Sequence, residues 1–410
     1  MKRVSKCILW LSGSLTSFAS ISSNSAGYIT DSGIHIIPII ETKIEHIDNV
    51  GRLSESESIE SSTVSILKPG VVFLSNRNGN RYELAYRLSS GSYFNSMDDS
   101  FLDHFVISHN TIQINPRNSF QLNYELTKGH EERGTGLLAG DELSKIATEP
   151  VRYTIHNVDF GYSFGSKGAK GKIESGLKYL RKDHINYREI NNNDLARYST
   201  RYKDFEQLGG SLAFYYRLSH STQLIAQLEL FDKNYSLAEP ENNQSQDSFN
   251  SFYYFGAEWD VTGKTTGRLR LGLQNKDYES SARKDFSGLS WKGDLDWRPV
   301  EHSTISIMTG MEAEDSAQDS TYLDRMNFSS QWQHFWLSYF YTRVGFSLSK
   351  EDYSESERKD KLNNIDVSVG YSETEDADIS MGWRYEKNDS TLNSNTYSQN
   401  VWYLSASLAF

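Results

Sequence analysis

Hydrophobic and polar residues alternate with a period of two along most of the chain. In one clear segment, Leu269 and Leu271 alternate with Arg268 and Arg270. The same alternation recurs in Phe120–Leu126, Ser287–Arg298 and Ile379–Glu386. A period of two with one apolar face predicts β-strands that bury one side only.

Short polar turns and longer polar loops separate these predicted strands in alternation. The Gly, Asn and Pro residues of the short turns supply the backbone geometry of tight hairpins. We predict short turns at 76–79, 116–118, 166–168, 220–222, 262–264, 301–303 and 373–376. We predict longer loops at 129–149, 188–203 and 236–247.

Three features favour a membrane barrel over a soluble β-sandwich: charged strand faces recur, aromatic residues crowd the ends of the apolar faces, and turns alternate in length. Because every backbone group must be paired in lipid, an amphipathic sheet there has to close on itself. We therefore predict an all-β, transmembrane, antiparallel up-and-down barrel of about 18 strands (16–18 by count). By the rule for porins, both termini and the short turns would be periplasmic and the long loops extracellular.

The last strand carries its apolar residues on one face and ends the sequence on an aromatic residue. Trp402, Leu404, Leu408 and Phe410 share this face, together with Ala406. A closing strand of this kind resembles the C-terminal signal that outer-membrane barrels present to the barrel assembly machinery. We therefore expect that machinery to be a partner of the chain.

The first 26 residues have the pattern of a secretory signal peptide. Lys2, Arg3 and Lys6 form a basic start, and a short apolar stretch and small residues follow, with cleavage expected after Ala19 or Ala26. This gives a signal peptide over 1–26 and a single barrel over 27–410. The one cysteine of the chain, Cys7, lies within the signal peptide, so we expect neither a disulfide nor thiol chemistry in the mature protein.

Charge and composition exclude several classes of function. The formal net charge is −12, and loss of the three basic residues of the signal peptide makes it more negative by three. Such an acidic protein is a poor nucleic-acid binder. G-x-x-x-x-G-K-[ST], H-E-x-x-H and C-x-x-C patterns are absent, and no His and Ser form a nucleophile motif. We therefore expect no enzymatic activity, no cofactor and no metal site.

If the apolar faces contact lipid, the opposite faces line the interior of the barrel. The predicted pore-lining residues are Lys172, Glu174, Lys178, Lys182, His184, Gln227, Glu229, Arg268, Arg270, Gln274, Lys276, Lys292, Asp294, Asp296, Arg298, Arg384 and Glu386. A barrel of this size can leave an aqueous channel.

Two interpretations of these charges stay open. The simpler one is that charges on neighbouring strands neutralise one another and hydrate the interior. The alternative is that Arg268, Arg270 and nearby lysines form a basic track for an acidic polymer, while the outer loops are acidic, including Glu312, Glu314 and Asp315.

Three short segments indicate a family. Leu67-Lys68-Pro69-Gly70, His130-Glu131-Glu132-Arg133-Gly134 and Tyr179-Leu180-Arg181-Lys182-Asp183-His184 resemble segments of β-barrel porin-like proteins encoded in exopolysaccharide and capsule gene clusters. This resemblance implies an outer-membrane protein of a Gram-negative bacterium that takes part in polysaccharide export beside a periplasmic export protein. It implies no catalytic residues.

The leading functional hypothesis is therefore a pore for exopolysaccharide or capsular polysaccharide, with lipopolysaccharide and other outer-membrane lipid around the barrel. One alternative is a general or substrate-specific diffusion porin for small solutes. Another is a structural or adhesive barrel that displays its loops. The period-two pattern is common to all three and does not separate them.

Overall fold

The computed structural model describes residues 27–166, 168–191, 195–240, 243–261, 263–318, 320–374 and 376–410. The expected signal peptide with Cys7 lies outside these residues, as do Lys167, Thr262 and Glu375 of the predicted turns.

One antiparallel sheet contains every strand of the described residues. Its strands are β1 (Tyr28–Ile29), β2 (His35–Ile47), β3 (Ser62–Arg77), β4 (Asn80–Tyr93), β5 (Phe101–Asn115), β6 (Asn118–Glu131), β7 (Val151–Phe164), β8 (Gly171–His184), β9 (Phe205–Arg217), β10 (Thr222–Tyr235), β11 (Ser248–Val261), β12 (Thr265–Tyr278), β13 (Phe286–Val300), β14 (Ser303–Asp315), β15 (Tyr322–Phe335), β16 (Phe340–Tyr353), β17 (Lys359–Thr374), β18 (Ala377–Ser390) and β19 (Tyr397–Ala409). A short helix, α1, spans Asp141–Ile146, and 3₁₀ turns span Met97–Asp99, Gly136–Leu138, Ala196–Tyr198, Thr200–Lys203 and Asn393–Asn395.

The sheet closes because the last strand pairs with the first long one. β19 is antiparallel to β2, from Val401 opposite Ile47 to Ala409 opposite Ile39. The amide of Phe410 then donates to the carbonyl of Pro38 at 3.0 Å. Strands β2–β19 thus form a closed 18-stranded barrel, which confirms the predicted fold and strand count. Closure leaves no long edge unpaired.

The two rims of the barrel differ in the length of their connections. The short-turn rim carries the tight hairpin turns and both chain ends of the barrel. At one of these turns, Asn78 and Gly79 have φ angles of 52° and 82°, which is the left-handed geometry of a two-residue hairpin. The long-loop rim carries the longer connections, including 48–61, 132–150, 185–204 and 236–247.

Apolar side chains cover the outside of the barrel instead of its interior. Leu271 and Leu289 are 56% and 65% exposed, whereas the alternate residues Gln274 and Ser290 are buried. This inverts the usual arrangement of a soluble protein and is expected for a barrel surrounded by lipid. No helix among the described residues is both long and apolar enough to cross a membrane.

Two predicted loop boundaries were wrong. β6 continues to Glu131, beyond the start of the predicted loop at 129, and β14 continues to Asp315. The acidic end of β14, predicted as an outer loop, instead turns toward basic residues of other strands. Asp315 lies 2.6 Å from the ammonium groups of both Lys233 and Lys276. These long-range ion pairs keep the acidic residues within the barrel.

The outward face of β12 provides a test of the lipid-facing assignment. We expect Leu271→Arg to lower the free energy of unfolding by about 2–4 kcal/mol, because it places a cation near the middle of the apolar band. Ser329→Arg, on the inward face of β15, is the control and should cost much less. Denaturant titration of both variants refolded into lipid vesicles measures the difference. Equal losses would contradict the assignment.

Candidate functional site

Side-chain contacts that skip a strand identify the interior of the barrel. The amide of Gln274 on β12 donates to the carbonyl of Ala313 on β14 at 2.8 Å, across β13. The hydroxyl of Tyr403 on β19 donates to Asp366 on β17 at 3.0 Å, across β18. Such contacts form only on the concave face of a closed sheet. Alternate residues of each strand therefore face a polar interior.

The structure places all of the predicted pore-lining residues on these inward faces. They are Lys172, Glu174, Lys178, Lys182 and His184 on β8, Gln227 and Glu229 on β10, Arg268, Arg270, Gln274 and Lys276 on β12, Lys292, Asp294, Asp296 and Arg298 on β13, and Arg384 and Glu386 on β18. Their part in the passage of a solute stays a prediction.

Most of these inward charges lie beside an opposite charge. Arg268 is 3.3 Å from Glu258, and Lys172 is 2.6 Å from Glu174. Further pairs join Lys178 to Asp159, Lys182 to Glu131, Arg270 and Lys292 to Glu229, Lys276 to Asp315, Arg384 to Glu45 and Glu386 to Arg52. This pairing favours a hydrated, internally neutralised interior over an uncompensated basic track.

Sequence analysis missed an aromatic patch on the interior wall. Phe252 and Tyr254 of β11 face inward with their rings stacked at 5.8 Å, and Tyr254 is only 3% exposed. The ammonium of Lys292 lies 5.1 Å from the ring of Phe252. The patch escaped prediction because β11 also carries aromatic residues such as Phe255 on its outward face, so the alternation there is hidden.

Residues 132–150, which we call the mouth segment, reach across the long-loop rim. The segment connects β6 to β7, and the β14–β15 connection lies eight strand positions away around the ring. Gln318 of that distant connection donates from Nε2 to the carbonyls of Leu137 at 2.7 Å and Ala139 at 3.0 Å. The mouth segment therefore lies across the opening of the barrel.

Near its own wall, the mouth segment is held by the loop that follows β2. Ser54 donates from its amide and its hydroxyl to the carboxylate of Asp141, at 2.8 and 2.6 Å. The hydroxyl of Ser144 donates to the carbonyl of Gly51 at 2.7 Å. An apolar cluster packs the segment against the β8–β9 loop, and it contains Leu137, Leu138, Leu143, Ala147, Val151, Leu195 and Tyr198. Polar and apolar contacts together fix its position.

The segment His130–Gly134, which carried part of the family resemblance, forms the base of the mouth segment. His130 is hydrogen-bonded through Nδ1 to Asp103 at 2.9 Å, and ion pairs join Glu131 to Lys182 at 2.8 Å and Arg133 to Asp99 at 2.6 Å. Gly134 has a φ of 77°, and a Cβ there would lie 2.2 Å from the carbonyl oxygen of Gly51. These residues therefore position the mouth segment.

Arg52 joins the base of the mouth segment to the barrel wall. Its guanidinium contacts Glu132 of the mouth segment and lies 3.0 Å from Glu386 of β18. The charge of Arg52 lowers the pKa of Glu132 to about 2. Both partners are therefore ionised across the ordinary range of pH. We call the three side chains the Arg52 latch.

Several histidines have structural partners. His184 hydrogen-bonds through Nδ1 to Asp204 at 2.9 Å, and His104 and His156 contact the hydroxyls of Tyr86 and Tyr124. Within the described part of the chain, no group of three or more His, Cys, Asp or Glu residues is placed to hold a metal ion.

If the Arg52 latch holds the mouth segment in place, breaking the latch should make that segment more mobile. Because hydrogen bonds to charged groups contribute about 1.5–3 kcal/mol, Arg52→Gln should accelerate amide hydrogen exchange in residues 136–146 at least about tenfold. Arg152→Gln is the control, because both side chains of the Arg152–Glu149 pair are about half exposed whereas Arg52 is buried, so that pair should contribute little. Equal exchange rates in the two variants would contradict the role of the latch.

The same latch has a defined pH dependence. Because the pKa of Glu132 is lowered, its ion pair stabilises the folded mouth segment fully when the pH is above about 4.3, the pKa of Glu in the unfolded chain. This stabilisation is lost as the pH falls through about 2, the pKa in the folded chain. The protection of the backbone amides of residues 136–146 from hydrogen exchange, corrected for the intrinsic exchange rate, should stay constant from pH 7 to about 4. A loss of protection centred near pH 4.3 would indicate an unperturbed carboxyl group.

Solved structures with a similar fold are outer-membrane proteins. Pseudomonas aeruginosa OccK1 (OpdK) is 12% identical with a TM-score of 0.49, and the match covers 94% of this chain and 100% of that one. Acinetobacter baumannii OccAB3 is 11% identical with a TM-score of 0.46, and the match covers 92% of this chain and 99% of that one. A bacterial polysaccharide outer membrane secretin is 7% identical with a TM-score of 0.38, covering 90% and 97%. At these scores the similarities indicate no cargo.

The family is shown by sequence. No curated protein matches the chain. A sequence model of the family described as "Putative beta-barrel porin 2" matches residues 33–410, which include every strand of the closed barrel, β2–β19. The chain therefore belongs to this family of porin-like β-barrels of the Gram-negative outer membrane.

Proposed function

We propose that the barrel is a diffusion pathway for small hydrophilic solutes. The observation that carries this proposal is the mouth segment, which contacts opposite sides of the long-loop rim through Gln318 and Ser54. A segment fixed in this way narrows the opening. Small solutes pass a narrowed opening without rearrangement, whereas a polymer would require the segment to move.

The chemistry of the interior supports a hydrophilic solute. Inward charges of both signs lie side by side, as with Lys292 between Glu229 at 3.5 Å and Glu312 at 3.6 Å. Such a wall keeps the interior hydrated but presents no long stretch of one charge. Asp294 and Arg298 are inward residues whose side chains stay exposed to water. These two are the strongest candidates for contact with a passing solute.

The same proposal includes an orientation. Short turns face the periplasm and long loops face outside in outer-membrane barrels. We infer that the short-turn rim and both ends of the barrel chain are periplasmic and that the mouth segment closes the extracellular side. Solutes would then meet the mouth segment before the charged interior.

Conductance tests the proposal directly. Purified protein in planar bilayers should show steady single-channel conductance, and liposomes containing it should swell in small sugars but not in oligosaccharides above a size limit. Arg52→Gln should raise that limit, because it releases one anchor of the mouth segment. Absence of both conductance and swelling in the folded protein would overturn the proposal.

Ion selectivity tests the role of the inward carboxylates. Asp294→Asn should lower the preference for cations over anions by up to about fivefold, because contact between unit charges in water is worth about 1 kcal/mol. Asp232→Asn removes the same charge from the outward face of β10 and is the matched control. Reversal potentials in a salt gradient measure both. An equal shift in the two variants would argue against a lumenal effect of Asp294.

Polysaccharide export is the second candidate, and the resemblance carried by His130–Gly134 and the two other segments favours it. For a polymer to pass, the mouth segment would have to leave the rim, with loss of its contacts to Arg52 and Gln318. A periplasmic export protein would be the expected partner in that case. Cargo size thus separates the two functions.

Deletion of the gene distinguishes the candidates in the cell. If the chain exports a polymer, polysaccharide should accumulate in the periplasm and decrease outside. If it is a diffusion porin, secretion should be normal and uptake of a small substrate should be slower. Complementation with the Asp232→Asn variant, which changes only the outward face, should restore the wild-type result in either case.

A further inference from the structure

The outward face of β4–β7 carries polar side chains at a depth where lipid-facing strands are otherwise apolar. Ser108 and Asn110 lie near the middle of β5. Their register partners on β4 and β6 are the exposed, outward-facing Leu84 and Leu122. The middle of the outward face of β10, by comparison, carries Leu228. The wall formed by β4–β7 therefore departs from the apolar band.

Hydrogen bonds join these polar side chains in two small groups. The side-chain nitrogen of Asn110 donates to the hydroxyl of Ser108 at 2.9 Å and to the carbonyl of Leu122 at 3.2 Å. On the next two strands, the hydroxyl of Tyr124 lies 3.0 Å from Nδ1 of His156. We call Ser108, Asn110, Tyr124 and His156 the polar patch. Lipid chains cannot pair with such groups, so polar residues at this depth indicate a function.

Two groups of the polar patch are left over, and each is what the other requires. Both N–H groups of the Asn110 amide are used, which leaves its Oδ1 as an acceptor. The Ser108 hydroxyl accepts from Asn110, which leaves its own proton as a donor. Among the residues that the structure describes, neither leftover group has a further hydrogen-bond partner. An identical patch on another copy of the chain supplies both partners.

Exposed apolar residues lie above the polar patch, toward the long-loop rim. Leu102 is outward-facing near the start of β5, and Phe94 and Met97 lie in the connection between β4 and β5. All three are exposed, and Met97 is 72% exposed. Exposed apolar side chains that lie near one another are typical of protein contacts. This wall is thus polar where it would meet lipid and apolar where it would meet water.

The connections above this wall leave it accessible. Only residues 94–100 join β4 to β5, and β5 meets β6 through a tight turn at the opposite rim. The mouth segment, which follows β6, lies across the opening and reaches Gln318 on the far side. A second barrel can therefore lie directly beside β4–β7 in the membrane.

We propose that the β4–β7 wall is the contact between two copies of this chain in the outer membrane. A two-fold axis along the membrane normal brings identical patches together. The Ser108 hydroxyl of each copy donates to Oδ1 of Asn110 in the other. The two groups lie at nearly the same depth, as this axis requires, because the Asn110 amide is already 2.9 Å from the Ser108 hydroxyl within one chain. Phe94, Met97 and Leu102 of the two copies meet above the membrane.

Energy transfer between labelled copies in lipid vesicles tests the dimer. The only cysteine of the chain is Cys7, in the expected signal peptide. Protein isolated from outer membranes can therefore carry donor or acceptor dye at Lys264→Cys, on the short-turn rim. Dilution with lipid should reveal a reversible dimer. Ser108→Ala/Asn110→Leu should raise its dissociation constant about tenfold or more, because polar contacts within a membrane stabilise association.

The matched control is Ser330→Ala, which removes an outward hydroxyl from the middle of β15 on another wall. It should leave the dissociation constant unchanged. Absence of energy transfer in the wild type, or equal dissociation constants for the wild type and the double variant, would overturn the proposal. Single-channel conductance of the double variant should equal that of the wild type. A failed dimer is therefore distinguishable from a failed porin function.

Disulfide cross-linking in native outer membranes identifies the occupant of the wall. Asn110→Cys should form a product with the mass of two copies under mild oxidation, because the two-fold axis places residue 110 of both copies close together. Leu228→Cys, at the middle of the outward face of β10, should form none. A product of another mass would show that a different protein covers the wall. That result, or no product from Asn110→Cys, would overturn the assignment to a second copy.

Discussion

The need to pair every backbone amide and carbonyl within lipid governs the rest of this structure. A sheet in the membrane has no water at its edges, so it is stable there only when its first and last strands meet. Here β19 meets β2 over nine residue pairs, and the Phe410 amide adds one further bond to Pro38. Closure then forces each strand to present one face to lipid and the other to the interior.

Closure also decides how the interior is stabilised. The inward face is too polar to form a hydrophobic core. Ion pairs and hydrogen bonds from hydroxyl groups stabilise it instead, and several of them join strands that are not neighbours in the sequence. Asp315, for example, accepts from Lys233, Lys276 and Tyr278. The mouth segment extends the same principle to the rim, where Arg52 and Gln318 hold it from different sides. The interior is thus ordered by polar contacts that also restrict its opening.

Sequence prediction was reliable where a residue's role depends on its neighbours in the strand. The alternation around Leu269–Gln274 correctly gave the lipid-facing and inward residues of β12. Prediction was wrong at the end of β14, where Asp315 is satisfied by residues 37 or more positions away. It missed the inward placement of Phe252 and Tyr254, because aromatic residues occupy both faces of β11 and remove the contrast on which the period depends.

The amino-acid sequence by itself determined the class of fold, the approximate number of strands and the face of each strand that meets lipid. These follow from a period of two and from turn residues, which are properties of adjacent positions. Only the tertiary structure decided that residues 132–150 cross the rim and that Arg52 joins Glu132 to Glu386. Each of these depends on strand register and ring closure, which bring together residues that no local pattern connects.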